Sequence, residues 1–454
     1  MEILFTLSVA LFAGLLLSRL AKLCNLPAVT AYLIAGVLIG PFVLGAFGVE
    51  GLGFTGEVIH TEKFKIISDV ALGFIAFSIG NEFRMNDLKQ FGKTATIIGI
   101  LQAVFTTVVV DVGLIALHFI LGKELFPIEA AIILGAVASA TAPAATLMVV
   151  KQYKARGPVT KTLLPVVALD DAVGLVLFAI SFGVAKSIAT IGDGLNPWQI
   201  VISTIVEPIL EVILSIGLGA LIGLIFTFIE RFFHSRSKRL AVSVAFVLLT
   251  VAISMIKFSI PFGNSGVSMH VGFSSLLACM MLGTIFCNIC DFSAELMDRL
   301  DRWTAPIYVL FFVISGAELN LGVFNIFKPG NWVFIVIGIV YIAFRCLGKY
   351  FGARTSATIS KAEPNVKKYL GITLFPQAGV ALGMANMVAS ETEIFQNNTP
   401  LIVLNIILFS VLIYEIVGPF LTKISLQKAG EIDRTKKVSN RIKHHDKTIP
   451  TTKI

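Results

Sequence analysis

The sequence predicts an all-α polytopic membrane protein of about thirteen transmembrane helices, arranged as inverted repeats with two crossed broken helices. Three observations carry this. First, 56% of the 454 residues are hydrophobic and only 14% charged, with a mean hydropathy of +0.88; soluble domains carry roughly 25% charged residues. Second, apolar runs long enough to span, ~20 residues each, fill residues 1–423. β-barrel strands would instead alternate over ~10-residue segments. Third, prolines interrupt two of the runs at matching distances along the chain. One membrane domain over 1–423 is expected, followed by a basic tail over 424–454.

The first run is read as a retained helix over 3–23. Glu2 stands where a secretory signal has its basic region, and Arg19 and Lys22 follow the run rather than precede it. Further helices are expected over 27–47, 64–83, 94–121, 127–150, 162–186, 199–229, 239–258, 267–289, 303–322, 332–355, 368–389 and 398–423. Residues 291–302 fit poorly, because Asp291, Glu295, Asp298 and Asp301 outnumber Arg299 and Arg302.

Lysine and arginine divide unevenly between alternate loops. Arg19/Lys22, Arg84/Lys89/Lys93, Lys151/Lys154/Arg156/Lys161, Arg231/Arg236/Lys238/Arg239 and Arg354/Lys361/Lys367/Lys368 fall on one side. The positive-inside rule puts that side in the cytoplasm. The N-terminus is then outside and the C-terminus inside. The tail, with Lys436, Lys437, Arg441, Lys443, His444 and His445, reads as solvated, or as weakly attracted to anionic lipid. Cys287 and Cys290 form a lone CxxC with no second pair or nearby histidine, so Cys24, Cys279, Cys287, Cys290 and Cys346 read as ordinary membrane-helix cysteines.

Two halves of the chain resemble each other. Ala31-Tyr-Leu-Ile-Ala-Gly-Val-Leu-Ile-Gly40 matches Ser274-Ser-Leu-Leu-Ala-Cys-Met-Met-Leu-Gly283, and Gly80-Asn-Glu82 matches Gly316-Ala-Glu318. Leu169-Asp170 has its counterpart near Leu404-Asn405. The order is preserved at a spacing of roughly 235–245 residues. The repeats are expected at about 27–186 and 267–423, with linking helices over about 199–258. The first helix of each runs in the opposite sense, so the repeats are inverted, as in secondary transporters. Ser139-Ala-Thr-Ala-Pro143 and Phe375-Pro-Gln-Ala-Gly379 supply paired helix breaks. Proline frees backbone carbonyls, and freed carbonyls at membrane depth must line a cavity or be buried in protein. A simple proline kink is the plainer reading of either break alone.

Asp170 and Asp171 lie side by side in the apolar stretch from Pro165 to Ile180. Carboxylates at that depth cost at least ~2.5–3.5 kcal/mol and mark a functional site. Neighbours on a helix point ~100° apart, so one is expected to face an ion and the other a basic partner. Lys349 is the candidate partner, with Arg345 one turn away on the same face; alternatively Lys349 snorkels to its helix end. Asp111 either neutralises a helix-break dipole or faces a polar seam. Glu207 and Glu211 read as interfacial, Glu82 and Glu318 as structural helix ends, and His270 as a residue at a helix start.

In water a carboxylic acid of pKa ~3.9 takes no proton near neutrality. Burial and a like-charged neighbour favour the protonated form, and a nearby lysine favours the ionised one. A site balanced between these influences can hold either a proton or a small monovalent cation.

These residues resemble the bacterial monovalent cation:proton antiporter superfamily, in its sodium/proton exchanger branch with an Asp-Asp motif. The resemblance rests on Leu26-Pro27 with Gly36-Val-Leu-Ile-Gly40-Pro41, Leu72-Gly73 through Gly80-Asn-Glu82, Thr141-Ala-Pro143, Ala168-Leu-Asp170-Asp171, Gly348-Lys349 with Gly352, and Pro376-Gln-Ala-Gly379. It implies that Asp171 binds ion and proton, that Asp170 pairs with Lys349, takes or releases the second proton and lies at the cation with Asp171, and that backbone and hydroxyl around Thr141 help coordinate the cation. It implies a multi-pass protein of the cell (inner) membrane, acting in pH homeostasis as a homodimer, with a core domain moving against a dimerisation domain. The transported Na+ or Li+ and H+ are substrates; no cofactor, no enzymatic reaction and no nucleic-acid partner are expected, and lipid is the surrounding medium. Potassium-efflux relatives commonly carry Gln-Asp and a long cytoplasmic nucleotide-binding domain. The Asp-Asp pair and short tail here favour sodium and electrogenic exchange, with K+/H+ antiport as the alternative. A sodium-coupled organic-anion symporter is a further rival. An intramembrane aspartyl protease needs carboxylates from separate helices, and a channel needs a repeated filter sequence.

Overall fold

The computed structural model describes residues 2–23, 28–47, 62–142, 146, 149–150, 153–190, 206–256, 258–262, 267–290, 292–324, 331–395 and 397–432. Its architecture is helical: α1 (Glu2–Leu23), α2 (Ala28–Ile39), α3 (Glu62–Glu82), α4 (Met85–Leu121), α5 (Ile128–Val137), α6 (Pro158–Thr190), α7 (Glu207–Glu230), α8 (Arg236–Ser254), α9 (Ser275–Ile289), α10 (Ser293–Ala317), α11 (Trp332–Ile359), α12 (Pro364–Thr373), α13 (Gly379–Ala389) and α14 (Thr399–Lys428). Eight of the described helices are long and apolar enough to cross a membrane, and five more are shorter apolar ones.

Several boundaries differ from expectation, each for a physical reason. Helix α4 carries a non-helical residue, Gly92, at φ 75°; only glycine adopts this readily, and the expected start at 94 lies just past it. The helices expected to end at 258 and begin at 267 instead give way to a hairpin. Here β1 (Phe258–Phe262) pairs antiparallel with β2 (Val267–Val271), Phe258 opposite Val271 and Ser259 opposite His270. Apolar residues at 258, 260, 262, 267, 269 and 271 alternate there with Ser259, Pro261, Ser268 and His270, which is strand periodicity. His270 is therefore a strand residue, and α9 starts only at Ser275, with the Ser274 hydroxyl accepting the Leu277 N–H at 3.4 Å. The awkward acidic stretch forms the first turns of α10. Glu295–Arg299 at 2.9 Å and Asp298–Arg302 at 2.5 Å are i,i+4 pairs, the spacing that favours a helix.

The helices pack as two groups. In one, α4 lies along α11, flanked by α5, α6, α12 and α14. In the other, α2 packs on α10 and α3 on α9, with α1, α7 and α8 around them. The second group is held by reciprocal glycine contacts. A Cβ on Gly36 would run into the Val313 carbonyl, and one on Gly316 into the Leu33 carbonyl. Likewise Gly80 faces the Met280 carbonyl and Gly283 the Phe77 carbonyl. With lipid outside, helix association depends on such close approach of small residues.

Candidate functional site

Both expected helix breaks exist, and they meet. Helix α5 ends at Val137 and residues 140–142 are non-helical, while residues 375–378 separate α12 from α13. Pro143 lies outside the described residues. The Ala142 N–H donates to the Pro376 carbonyl at 2.9 Å, and Gln377 Nε2 donates to the Val137 carbonyl at 2.9 Å and to Tyr341 Oη at 3.1 Å.

The carbonyls freed by the two breaks converge on Arg345, a fully buried residue of α11. Its Nε donates to Ala138 O at 3.0 Å, Nη2 to Ala140 O at 2.8 Å and Nη1 to Phe375 O at 2.7 Å. The guanidinium also lies 4.4 Å from the Tyr414 ring centroid. Helix C-termini carry partial negative charge, and the planar fork of arginine suits several oxygens at once. The role weighed for Asp111 thus falls to Arg345. Asp111 instead lies against Gly135, where a Cβ would overlap its carboxylate. One Asp111 oxygen has no hydrogen-bond partner among the described residues.

One turn along α11, Lys349 is also fully buried and does not snorkel. Its Nζ donates to Asp170 Oδ2 at 2.6 Å, to the Ser139 carbonyl, and to Gln102 Oε1 at 3.3 Å. That commits all three ammonium hydrogens. Gln102 of α4 donates to Asp170 Oδ1 and to the Gly99 carbonyl at 3.3 Å. The Thr141 hydroxyl donates to Asp170 Oδ2 and lies 3.3 Å from the Leu374 carbonyl. Asp170 therefore receives three side-chain donors from three elements, and every member of the network is nine-tenths or more buried. A buried ion pair is tolerable only when its remaining lone pairs and protons are satisfied in this way.

Asp171 is 2% exposed and, as the next helical residue, projects ~100° away from Asp170. Thr141 spends its single hydrogen within the network but retains acceptor lone pairs. Helix α4 can come close to α11 because Gly348 and Gly352 face it; Cβ atoms there would sit 3.0 Å from Thr106 Cα and 3.1 Å from Gln102 O.

Other residues singled out lie elsewhere. Glu207 begins α7, and Glu318 caps α10. Asn405 accepts the Asn320 N–H at 2.8 Å and so fixes the turn after α10. Cys287 and Cys290 are free thiols; Cys290 Sγ lies 3.8 Å from Glu230, which pairs with Arg239 at 3.0 Å. Gln102 escaped the sequence reading although a lone amide in the apolar run of α4 was a visible signal. Glu415, buried in α14 and accepting the Thr30 hydroxyl at 3.1 Å, escaped it as well.

A many-helix membrane bundle with a buried ammonium–carboxylate network where two broken helices meet is a membrane transporter. This chain belongs to the family described as "Sodium/hydrogen exchanger, transmembrane", whose sequence profile matches residues 7–424. It is 24% identical over 423 residues to the high-affinity Na(+)/H(+) antiporter NhaS3 of Synechocystis, covering 86% of this chain and 83% of that one. It is 23% identical over 433 residues to a Na(+)/H(+) antiporter of Enterococcus hirae, covering 93% and 99%. The fold matches the sodium proton antiporter MjNhaP1 of Methanocaldococcus jannaschii at pH 8, with a TM-score of 0.69, 21% identity, and coverage of 94% and 99%.

Proposed function

We propose that the protein exchanges a monovalent cation, Na+ or Li+, for protons across the membrane, and that the exchange is electrogenic. The observation that carries this is the Asp170–Lys349 pair, braced by Thr141 and Gln102 beside Asp171 at the meeting of two helix breaks. Asp171 is assigned the transported ion and proton. Asp170, held by Lys349, is assigned the second proton, and the hydroxyl and backbone around Thr141 the remaining cation contacts. A cation and a proton compete for one carboxylate, so each crossing carries one or the other. If both aspartates titrate, two protons move against one cation, and voltage acts on the cycle at ~2.3 kcal/mol per charge per 100 mV.

Supporting this reading, α2 and α3 exchange partners with α9 and α10, the pattern that inverted repeats over about 27–186 and 267–423 would give. The group holding α4, α5, α6, α11, α12 and α14 is assigned the moving core, with the second group as its frame. The uneven distribution of lysine and arginine supports an external N-terminus and a cytoplasmic C-terminus. Location in the cell (inner) membrane and homodimerisation are part of the same proposal. No covalent chemistry is part of the reading.

The test is transport by protein reconstituted in liposomes with an internal pH dye and an imposed pH gradient. Sodium or lithium should dissipate the gradient, with a rate that changes when the membrane potential is clamped. Dissipation by potassium alone would assign K+/H+ antiport. No proton movement with any cation would overturn the proposal.

A further inference from the structure

Helix α6, which carries Asp170 and Asp171, begins in the sequence Arg156-Gly157-Pro158-Val159-Thr160. Gly157 precedes it and has no side chain to cap its first N–H groups. Four N–H groups at a helix start need external acceptors. The acceptor comes from just beyond the far end of α14. Glu431 Oε1 accepts the Val159 N–H at 2.6 Å, and Oε2 accepts the Thr160 N–H at 2.8 Å and the Thr160 hydroxyl at 2.6 Å. The Glu431 carbonyl accepts the Arg156 N–H at 3.1 Å.

The chain is shaped to deliver this carboxylate. Helix α14 runs to Lys428 rather than the expected 423, and Gly430, at φ 77°, turns the chain back. The Gly430 N–H then reaches Gln427 O at 3.1 Å and the Glu431 N–H reaches Leu426 O at 2.9 Å, closing α14. Ile432 is buried among Val159, Leu163 and Leu426. On the receiving side a Cβ on Gly157 would overlap the Glu431 carboxylate, so the missing side chain makes its room. Both partners are fitted to the contact, which places 429–432 within the membrane domain rather than in the tail.

We propose that Glu431 is a positioning residue for cation exchange: by capping α6 from the end of α14, it fixes the axial position of Asp170 and Asp171. This rests on the exchange reading above. The cap lies 10–12 residues before the aspartates, about 15–18 Å along the helix axis, so it acts through α6 and touches no ion. Helices α6 and α14 are joined at this end and would move together during transport.

The test compares full-length wild type, Glu431→Ala and Glu431→Gln in two measurements. Hydrogen exchange of the segment 156–163 should be roughly 2- to 30-fold faster in Glu431→Ala, the range a lost N-cap produces. Glu431→Gln keeps a side-chain acceptor and should restore part of the protection. In liposomes Glu431→Ala should raise the apparent KM for sodium and displace the pH profile, with partial rescue by Gln. Should the alanine variant not fold, the glutamine variant alone should show intermediate shifts in both readouts. Unchanged protection of 156–163 would overturn the cap. Faster exchange with unchanged KM and pH profile would overturn the positioning role. A wild type that moves no protons with any cation would sink the exchange reading, and the positioning role with it, while the hydrogen-exchange arm still decided the cap.

Discussion

Arg345 Nη1 and the Phe375 carbonyl lie 2.7 Å apart, and the same guanidinium serves Ala138 and Ala140 on the other break. One side chain thus ties the ends of two interrupted helices into a single junction. Replacing it with alanine leaves three buried carbonyls without donors, at ~1–3 kcal/mol each. Arg345→Ala should yield little folded protein, and Arg345→Lys, lacking the fork, should unfold at lower temperature than wild type. Thermal unfolding in detergent, followed by size-exclusion chromatography, measures both. Wild-type stability in the alanine variant would contradict the junction.

Asp171→Asn should abolish cation-dependent proton movement while leaving the fold intact, because the change is isosteric. Asp170→Asn retains acceptor capacity toward Lys349 but loses the charge, and should reduce exchange and its voltage dependence. Liposome assays with a clamped potential read both, and full transport by Asp171→Asn would refute its assigned role.

Lys349→Ala leaves the buried Asp170 carboxylate without its basic partner. Breaking a buried pair on one side costs ~3–5 kcal/mol, so the single variant should lose stability. Combining it with Asp170→Asn removes the stranded charge and should recover a large part of that loss. A double variant no more stable than Lys349→Ala would show that the pair is not the source of the effect.

Gln102→Leu keeps the approximate volume but removes the bridge between Asp170 and Lys349. It should destabilise the protein by ~1–3 kcal/mol through the two unsatisfied partners. It should also change the pH profile of exchange, because Asp170 loses one of its three donors. Superimposable pH profiles would reduce Gln102 to a packing role.

The reciprocal glycine contacts give a controlled comparison. Gly80→Leu should prevent assembly, since even a Cβ there runs into the Met280 backbone. Gly217→Leu, where a Cβ would meet nothing within 4 Å, should fold normally. Equal yields from the two would contradict the close crossing of α3 and α9.

Much of the site was legible because its residues are misplaced by ordinary membrane chemistry. Asp170, Asp171, Lys349 and Arg345 stand out in apolar runs, and Pro143 and Pro376 mark broken helices. What stayed hidden depends on contacts between distant residues. An exposed-looking glutamate after the last helix gives no sign that it caps a helix start 272 residues earlier. The paired strands Phe258–Phe262 and Val267–Val271 are hard to tell from helix ends in the sequence, because apolar runs flank them and hydropathy averages over period-2 alternation. The acidic start of α10 was discounted by charge count, although its i,i+4 pairing was readable.

The separation of Lys349 from Asp170 has a consequence during synthesis. The two are 179 residues apart, and ribosomes add ~5–20 residues per second. Asp170 therefore leaves the ribosome about 10–35 s before its counter-charge exists. Arg345, which joins the two breaks, also emerges in that later interval. During the wait, the carboxylates of α6 have no basic partner from α11. A stop codon placed between the halves should release a product cleared by proteolysis.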